Sequence, residues 1–206
     1  FINMNKIKQG YKQTDIGVIP EDWEVKSIDE SFRFLNNATF SRAELDSNGT
    51  TGYIHYGDIH TKYNEFIDFD LHKLPCISDS KAQKYKLVHD GDIVMADASE
   101  DYVGLCKSVE IKNIKNNKVI AGLHTILIRE KTSQYKNGFK GYLFLVPDVK
   151  RQLIGLATGM KVFGVSKSNL PQVLLPIPTP KEQTAIATAL SDTDALIAAL
   201  DKKIAK

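Results

Sequence analysis

Cysteine is nearly absent. The 206 residues hold two, Cys76 and Cys106, too few to staple a scaffold or build a zinc cage, and both are expected to be reduced thiols of a cytoplasmic protein. Long apolar runs are absent as well. Stretches such as Val173–Pro178 fall far below the roughly 20 residues that cross a bilayer, and no basic segment leads into an apolar one at the start, so no signal peptide is expected. Phe1-Ile2-Asn3, ahead of Met4, are set aside as a scar or upstream sequence. There is no Gly-x-Gly-x-x-Gly and no Walker loop to cradle phosphates. Histidines are not paired at metal-ligand spacing: His55 and His60 are five apart, and His124 is expected alone on a strand. An Asn/Asp-Pro-Pro-Tyr stretch of the kind adenine methyltransferases use is missing, so no methyl donor and no other cofactor is expected. No internal repeat is visible.

What remains is ordinary globular composition, 42% hydrophobic and 25% charged, enough for one domain or one domain with an appendage. The formal net charge of +2 hides an uneven distribution. Residues 1–103 carry 11 Lys+Arg against 18 Asp+Glu, residues 104–179 carry 12 against 3, and residues 180–206 carry 4 against 4. Such asymmetry points to a polyanionic partner, unless folding mixes the blocks in space.

Periodicity predicts short elements. Ser27 to Asn36 has helical spacing at Ile28, Phe32 and Leu35. Residues 36–52 read as a long polar loop. Tyr53–Tyr56 reads as a strand closed by Gly57-Asp58, Asp79 to Leu87 as a short helix, and Ile93–Ala96 as a buried strand. Val103 to Ile111 alternates. Asn113–Lys118 reads as a hairpin connection leading to strands at Val119–Ala121 and Thr125–Ile128. Tyr142 to Ala157 has helical spacing, with Pro147 against its first turn. Gly155 to Gly164 holds three glycines and predicts a mobile loop, and Val173 to Ile177 is a last strand. Trp23, the only tryptophan, is expected to cap the core.

The end is different in kind. Thr179-Pro180-Lys181-Glu182 is a capping box with proline at the first helical position. Beyond it Leu190, Ile197 and Ile204 are seven apart, and Ile186, Thr193 and Leu200 form a second series offset by four. This is heptad spacing with one polar position, Thr193. No glycine or proline ends the helix, which therefore looks cut, or completed by a partner. The fold class expected is α+β: a twisted, mixed, barrel-like sheet core with short helices, then one long coiled-coil-type helix. The boundary falls between residues 1–178 and 179–206.

One enzymatic pattern is present. Asp101, Glu110 and Lys112 are spaced Asp-x8-Glu-x-Lys, and two carboxylates with a lysine can hold Mg²⁺ and a water for phosphodiester cleavage. A solvated strand face explains the same pattern.

Two terminal stretches carry a resemblance. Tyr11–Val25 is similar to the opening of specificity (S) subunits of type I restriction–modification systems, and Leu175-Pro176-Ile177-Pro178-Thr179-Pro180-Lys181-Glu182-Gln183-Thr184-Ala185-Ile186-Ala187 resembles the entry to their helical region. Between them, Tyr53–Ile59, Gly91–Val94, Ala121–Thr125 and Val165–Leu170 resemble further landmarks of that family, in order. The resemblance implies a target recognition domain (1–178) that reads one half of a split double-stranded DNA sequence, followed by a spacer helix (179–206). Methyltransferase (M) subunits would dock on it and a restriction (R) subunit would join them. A second recognition half is lacking, so the chain is expected to be a fragment or a half-size subunit that pairs with a second copy. Phosphate contacts are expected from the basic stretch 104–179. Base and sugar contacts are expected from Arg42, Lys62, Tyr63, Ser99, Tyr102, Lys161, Phe163 and Lys167 on polar loops. The partner seam is expected at Ile186, Leu190, Ile197, Leu200 and Ile204. Three functions compete on this evidence: a DNA-reading module without catalysis, a Mg²⁺ nuclease using Asp101, Glu110 and Lys112, and a helix-mediated assembly protein without nucleic acid.

Overall fold

A computed structural model describes residues 7–204. Residues 1–6, with the Phe1–Asn3 set aside above, and residues 205–206 lie outside the described residues. In chain order the elements are β1 (Tyr11–Thr14), β2 (Gly17–Pro20), β3 (Glu24–Ser27), α1 (Ile28–Ser31), β4 (Phe32–Leu35), β5 (Thr51–Ile54), α2 (Tyr56–Lys62), β6 (Phe66–Asp68), β7 (Cys76–Ile77) and α3 (Asp79–Ala82). They continue with β8 (Ile93–Ala96), β9 (Ala98–Ser99), β10 (Ser108–Lys112), β11 (Val119–Ala121), β12 (Thr125–Glu130), α4 (Lys140–Leu143), α5 (Pro147–Gly155), β13 (Phe163–Gly164), β14 (Leu174–Ile177) and α6 (Pro180–Ile204).

A five-stranded mixed sheet runs in the order β4-β12-β8-β10-β6, antiparallel except for the parallel β10–β6 pair. A three-stranded sheet, β11-β5-β7, stands beside it. The period of two divides the central strands between two cores. Ile93 and Met95 of β8, with Ile126 and Ile128 of β12, pack with Phe144, Val149 and Leu153 and with Ile186 of α6. Val94, Ala96 and Leu127 turn the other way and meet Ile54, Ile59, Val119 and Ala121. A strand buried on both faces reads as a continuous apolar run, as β8 does.

The α+β class holds, and several local expectations are corrected. Only Ile28–Ser31 is helical in the segment from Ser27; Phe32–Leu35 extends as β4, because Phe32 gains burial in the core and the strand completes the sheet edge on β12. Tyr53–Tyr56 is not all strand. His55 turns the chain, its Nδ1 accepting from the Gly57 N–H at 3.1 Å, and Tyr56 opens α2. The helix predicted to Leu87 ends at Ala82. Residues 113–118 are not a hairpin, since β10 and β11 belong to different sheets; Asn113 and Lys115 turn the chain at positive φ. Pro147 divides the segment after Tyr142 into α4 and α5 by sitting at the start of α5. The glycine-containing loop before Gly164 is closed by a bridge between Thr158 and Gly164.

The basic stretch 104–179 is also not a free positive face. Lys115 meets Asp70, Lys118 meets Asp79, Arg129 meets Asp92 at 2.6 Å and Lys131 meets Asp29, so four of the twelve cations of the block are paired with acids of the first half.

The chain's two ends form one joint. The Thr179 hydroxyl and amide both donate to Glu182 Oε2, at 2.6 and 3.1 Å, and the Trp23 indole N–H donates to the same atom at 3.0 Å. Gln183 is fully buried. Its carbonyl accepts from the Lys136 N–H at 2.7 Å, and its amide donates to the Gln134 and Pro178 carbonyls at 2.9 Å. From this root α6 runs 25 residues, about 40 Å at 1.5 Å per residue. Ile186 and Ala187 pack on the core, and Asp194 accepts from the Tyr142 hydroxyl at 2.7 Å. The globule therefore follows the helix further than its first turns. Leu190, Ile197 and Leu200 stay exposed, and Ile204 is 83% exposed. The Thr193 hydroxyl donates to the Ala189 carbonyl of its own helix, so no unsatisfied polar group interrupts the seam.

Candidate nucleic-acid interface

The antiparallel pairings place the ends of β4 and β8 and the starts of β12 and β10 at one end of the five-stranded sheet. The parallel β10–β6 pair puts the segment that leaves α2 there too. Loops from five parts of the sequence therefore gather at this end, with α2 at their centre.

Asp58 of α2 is fully buried and holds two half-exposed cations, Arg42 at 3.0 Å and Lys62 at 2.9 Å. Burial pushes the Asp58 pKa up, but the hydrogen bonds from Lys62 and Arg42 outweigh it and the net direction is down. Two cations on one carboxylate leave a positive excess at the surface. The neighbouring His55 is pushed down, first by burial and then by Arg42, which suits its use as a neutral cap acceptor.

Tyr56 is ringed by three imidazoles: His55, His60 and His124 lie 4.8, 6.1 and 5.2 Å from its centroid. His60 Nε2–H donates to the Ala98 carbonyl of β9 at 2.9 Å, joining α2 to the next loop. His124 is not a strand residue. It sits before β12 at φ 52°, exposed, with Nδ1–H donating to Asp97 at 3.1 Å. The turn that presents it needs Gly122, where a Cβ would fall 2.4 Å from the Tyr53 ring. The Tyr53 hydroxyl ties this turn down, accepting from the Leu123 N–H at 2.8 Å and donating to the Phe40 carbonyl at 2.6 Å.

Beyond Asp97, β9 pairs with β13, which brings Tyr102 onto Phe163 with ring centroids 4.1 Å apart. Lys161 is exposed on the loop before β13 and forms no ion pair among the described residues. Lys167 donates to the Leu35 carbonyl at 3.0 Å, at the same end of the sheet.

Arg42, Lys62, Tyr102, Lys161, Phe163 and Lys167 are thus at or near one surface. Two expected residues are not on it. Tyr63 is buried, its ring edge-on to His72, and Ser99 is buried, its hydroxyl accepting from the Asp101 amide at 3.3 Å. Tyr63 belongs to the core, and Ser99 to the internal bracing of its loop. Tyr56, His60 and His124 lie at this end of the sheet and were not expected there, whereas Asp97 opens a loop, Asp97–Tyr102, that was; the signal for His124 was the Gly122-Leu123-His124 step into a strand.

The nuclease pattern does not assemble. Glu110 and Lys112 share a strand face as period two requires, but Glu110 is buried and both its oxygens accept backbone N–H groups, from Gly138 at 2.7 Å and Gly141 at 2.8 Å. Burial raises its pKa, against those bonds and Lys140. Lys112 lies over the Phe66 ring, 3.3 Å from its centroid, and Asp101 closes its own loop on the Gly104 N–H at 2.6 Å. No group of three His, Cys, Asp or Glu among the described residues is placed to hold a metal ion, and none of the described helices is long and apolar enough to cross a membrane.

The model of the family described as type I restriction modification DNA specificity domain matches residues 20–206, and the chain belongs to this family. Among curated proteins it is 29% identical over 206 residues to a putative type I restriction enzyme MjaX specificity subunit of Methanocaldococcus jannaschii, covering 96% of this chain and 45% of that protein. It is 26% identical to the MjaVIII specificity subunit of the same organism, covering 92% and 43%. The chain therefore spans less than half the length of these relatives. Among solved structures it is similar in fold to the HsdS subunit of Thermoanaerobacter tengcongensis, with a TM-score of 0.59 at 15% identity, covering 94% of this chain and 42% of that one. The S subunit of M. genitalium gives 0.54 at 16% identity, covering 88% and 41%.

Proposed function

We propose that this chain is the recognition half of a type I restriction–modification specificity subunit. It reads one part of a bipartite double-stranded DNA target, carries no catalysis of its own, and assembles through α6. The observation that carries this is the family match across residues 20–206. The geometry supports it: the loops meet at one end of the sheet, and the apolar seam of α6 is left largely uncovered. Arg42, Lys62, Lys161 and Lys167 are the proposed cationic contacts, to phosphate or to guanine edges, with Tyr102 and Phe163 as apolar ones. His124 joins them as an exposed acceptor at Nε2, because its Nδ1–H is held by Asp97. The recognition unit ends at residue 178, and the spacer unit, 179–206, carries helix α6 (Pro180–Ile204). Its seam, Leu190, Ile197, Leu200 and Ile204, pairs as a coiled coil with a second recognition half or a second copy, while Ile186, expected in that seam, packs on the domain's own core. M subunits dock there, and the R subunit joins through them. A protein that works on DNA beside such partners belongs in the cytoplasm.

Retention of duplex DNA by the full chain, measured against salt, tests the reading. A slope of log K against log salt of about −0.9 per phosphate contact is expected. Binding should be weak for the chain alone, because half of a bipartite reader makes half of the contacts. A chain that retains no DNA at low salt, with or without M subunits, would leave only an assembly role. Cleavage of plasmid with Mg²⁺ would restore the nuclease reading.

A further inference from the structure

The loops joined by β9 and β13 end in an apolar tip. Met160 is 94% exposed, Val103 86% and Val162 56%, and beside them Tyr102 stacks on Phe163. This tip is braced. Phe163 and Gly164 pair with Ser99 and Ala98. Thr158 and Gly164 exchange backbone bonds of 2.8 and 2.9 Å. Asp101 closes on the Gly104 N–H at 2.6 Å, and Lys150 donates to the Val103 carbonyl at 3.0 Å and also to that of Leu105. An apolar surface that is already rigid loses little conformational freedom when covered, while its exposure to water is unfavourable.

Resting on the DNA-reading function above, we infer that this tip is a prong that packs Met160, Val162 and Val103 against the 5-methyl groups of thymine in the major groove. A two-stranded ribbon fits the groove's width of about 12 Å, and the thymine methyl is the apolar feature displayed there. Charge agrees with this orientation. The excess cation at Arg42 and Lys62, and Lys161 beside the tip, suit phosphates flanking a groove. The exposed carboxylate of Glu100 beside the ribbon disfavours phosphate at the tip itself and directs the tip to base edges. Tyr102 and Phe163 are stacked on each other, so the prong lies along the groove floor and does not insert a ring between bases.

The test uses the full chain at low salt. Bound duplexes are enriched from a random pool, and the enriched pool is then remade with uracil in place of thymine, which deletes only the 5-methyl group. The enriched site should contain thymine, and uracil should weaken binding by about threefold to tenfold, as the loss of one or two buried methyl groups implies. A chain with Met160→Ser and Val162→Ser should bind both pools alike, at the weaker level, with unchanged thermal unfolding. Equal binding of both pools by the unaltered chain, or an enriched site without thymine, overturns the prong while leaving DNA recognition standing. No enrichment at all removes both readings. If the doubly substituted chain keeps its DNA binding but loses M-subunit binding, the tip is a protein contact and the inference is wrong.

Discussion

Gln183→Ala should loosen the root of α6. The side chain is fully buried and makes three hydrogen bonds, to the Lys136 N–H and the Gln134 and Pro178 carbonyls. Each such bond contributes about 0.5–1.5 kcal/mol net, and more where the partner is left buried without a substitute. Losing three, with a cavity in place of the side chain, should cost about 3 kcal/mol, against a total of roughly 5–15 kcal/mol for a domain. For a chain of this size that lowers the unfolding temperature by about 6–12 °C. Urea unfolding followed by circular dichroism reads the loss directly. Gln183→Glu sharpens the test. A carboxylate can still accept from the Lys136 N–H, but it faces two carbonyl oxygens with no proton to give them. It should therefore be at least as destabilising as alanine near neutral pH and recover partly as the pH falls and the acid gains a proton. A loss below about 1 kcal/mol for alanine, or wild-type stability for glutamate at neutral pH, would refute the idea that Gln183 holds the helix to the domain.

Other substitutions separate the remaining roles. Asp58→Asn should cost about 1–2 kcal/mol, a modest figure because Arg42 and Lys62 can turn to water, and thermal unfolding would check it. Because the Asp58 pKa is lowered by folding, its contribution is complete above the ordinary carboxylate range and fades as the pH falls through the folded value. The wild-type advantage over the asparagine variant should shrink in acid. Ile197→Asp with Leu200→Asp, both exposed, should leave unfolding unchanged and abolish self-association and M-subunit binding in analytical ultracentrifugation; normal assembly would make α6 an internal strut. Glu110→Gln should lower stability without changing DNA retention, because Gln can accept from only one of the two backbone N–H groups.

The legible parts of the sequence were those in which a local pattern and a tertiary role coincide. The capping box at Thr179 and the heptads after it specify α6 by themselves, and β8 is recognisable because both its faces are buried. Errors arose where a local pattern had two solutions. Phe32 and Leu35 fit helical spacing, yet Phe32 and Phe34 fit a strand equally well, and only the free edge of β12 decides. Block charges were misleading for a similar reason. Lys115, Lys118, Arg129 and Lys131 spend their charge on acids 45, 39, 37 and 102 residues earlier, pairings that no window along the chain can reveal. At the candidate surface the loops were legible by their polarity. Burial of Tyr63 and Ser99 was not, nor was the exposure of His124, because each depends on which neighbouring loop packs over the residue.

Trp23 and the entry of α6 lie far apart in the sequence, and one atom joins them. Glu182 Oε2 accepts from Thr179, which caps α6, and from Trp23, which closes the N-terminal segment. Next to it β3 and β14 pair antiparallel, with Val25 opposite Pro176. The entry of α6 is therefore set by the start of the chain, and Gln183 fixes it to the segment at residues 134–136. The loops at the sheet end contribute nothing to this joint. If the proposed function holds, their residues can change to suit a different DNA half-site while the angle of α6 stays fixed. A chimera that exchanges residues 36–50 and 97–104 should accordingly alter the sequence retained and leave assembly through α6 intact, and a change in both would show that the reading end and the joint are not independent.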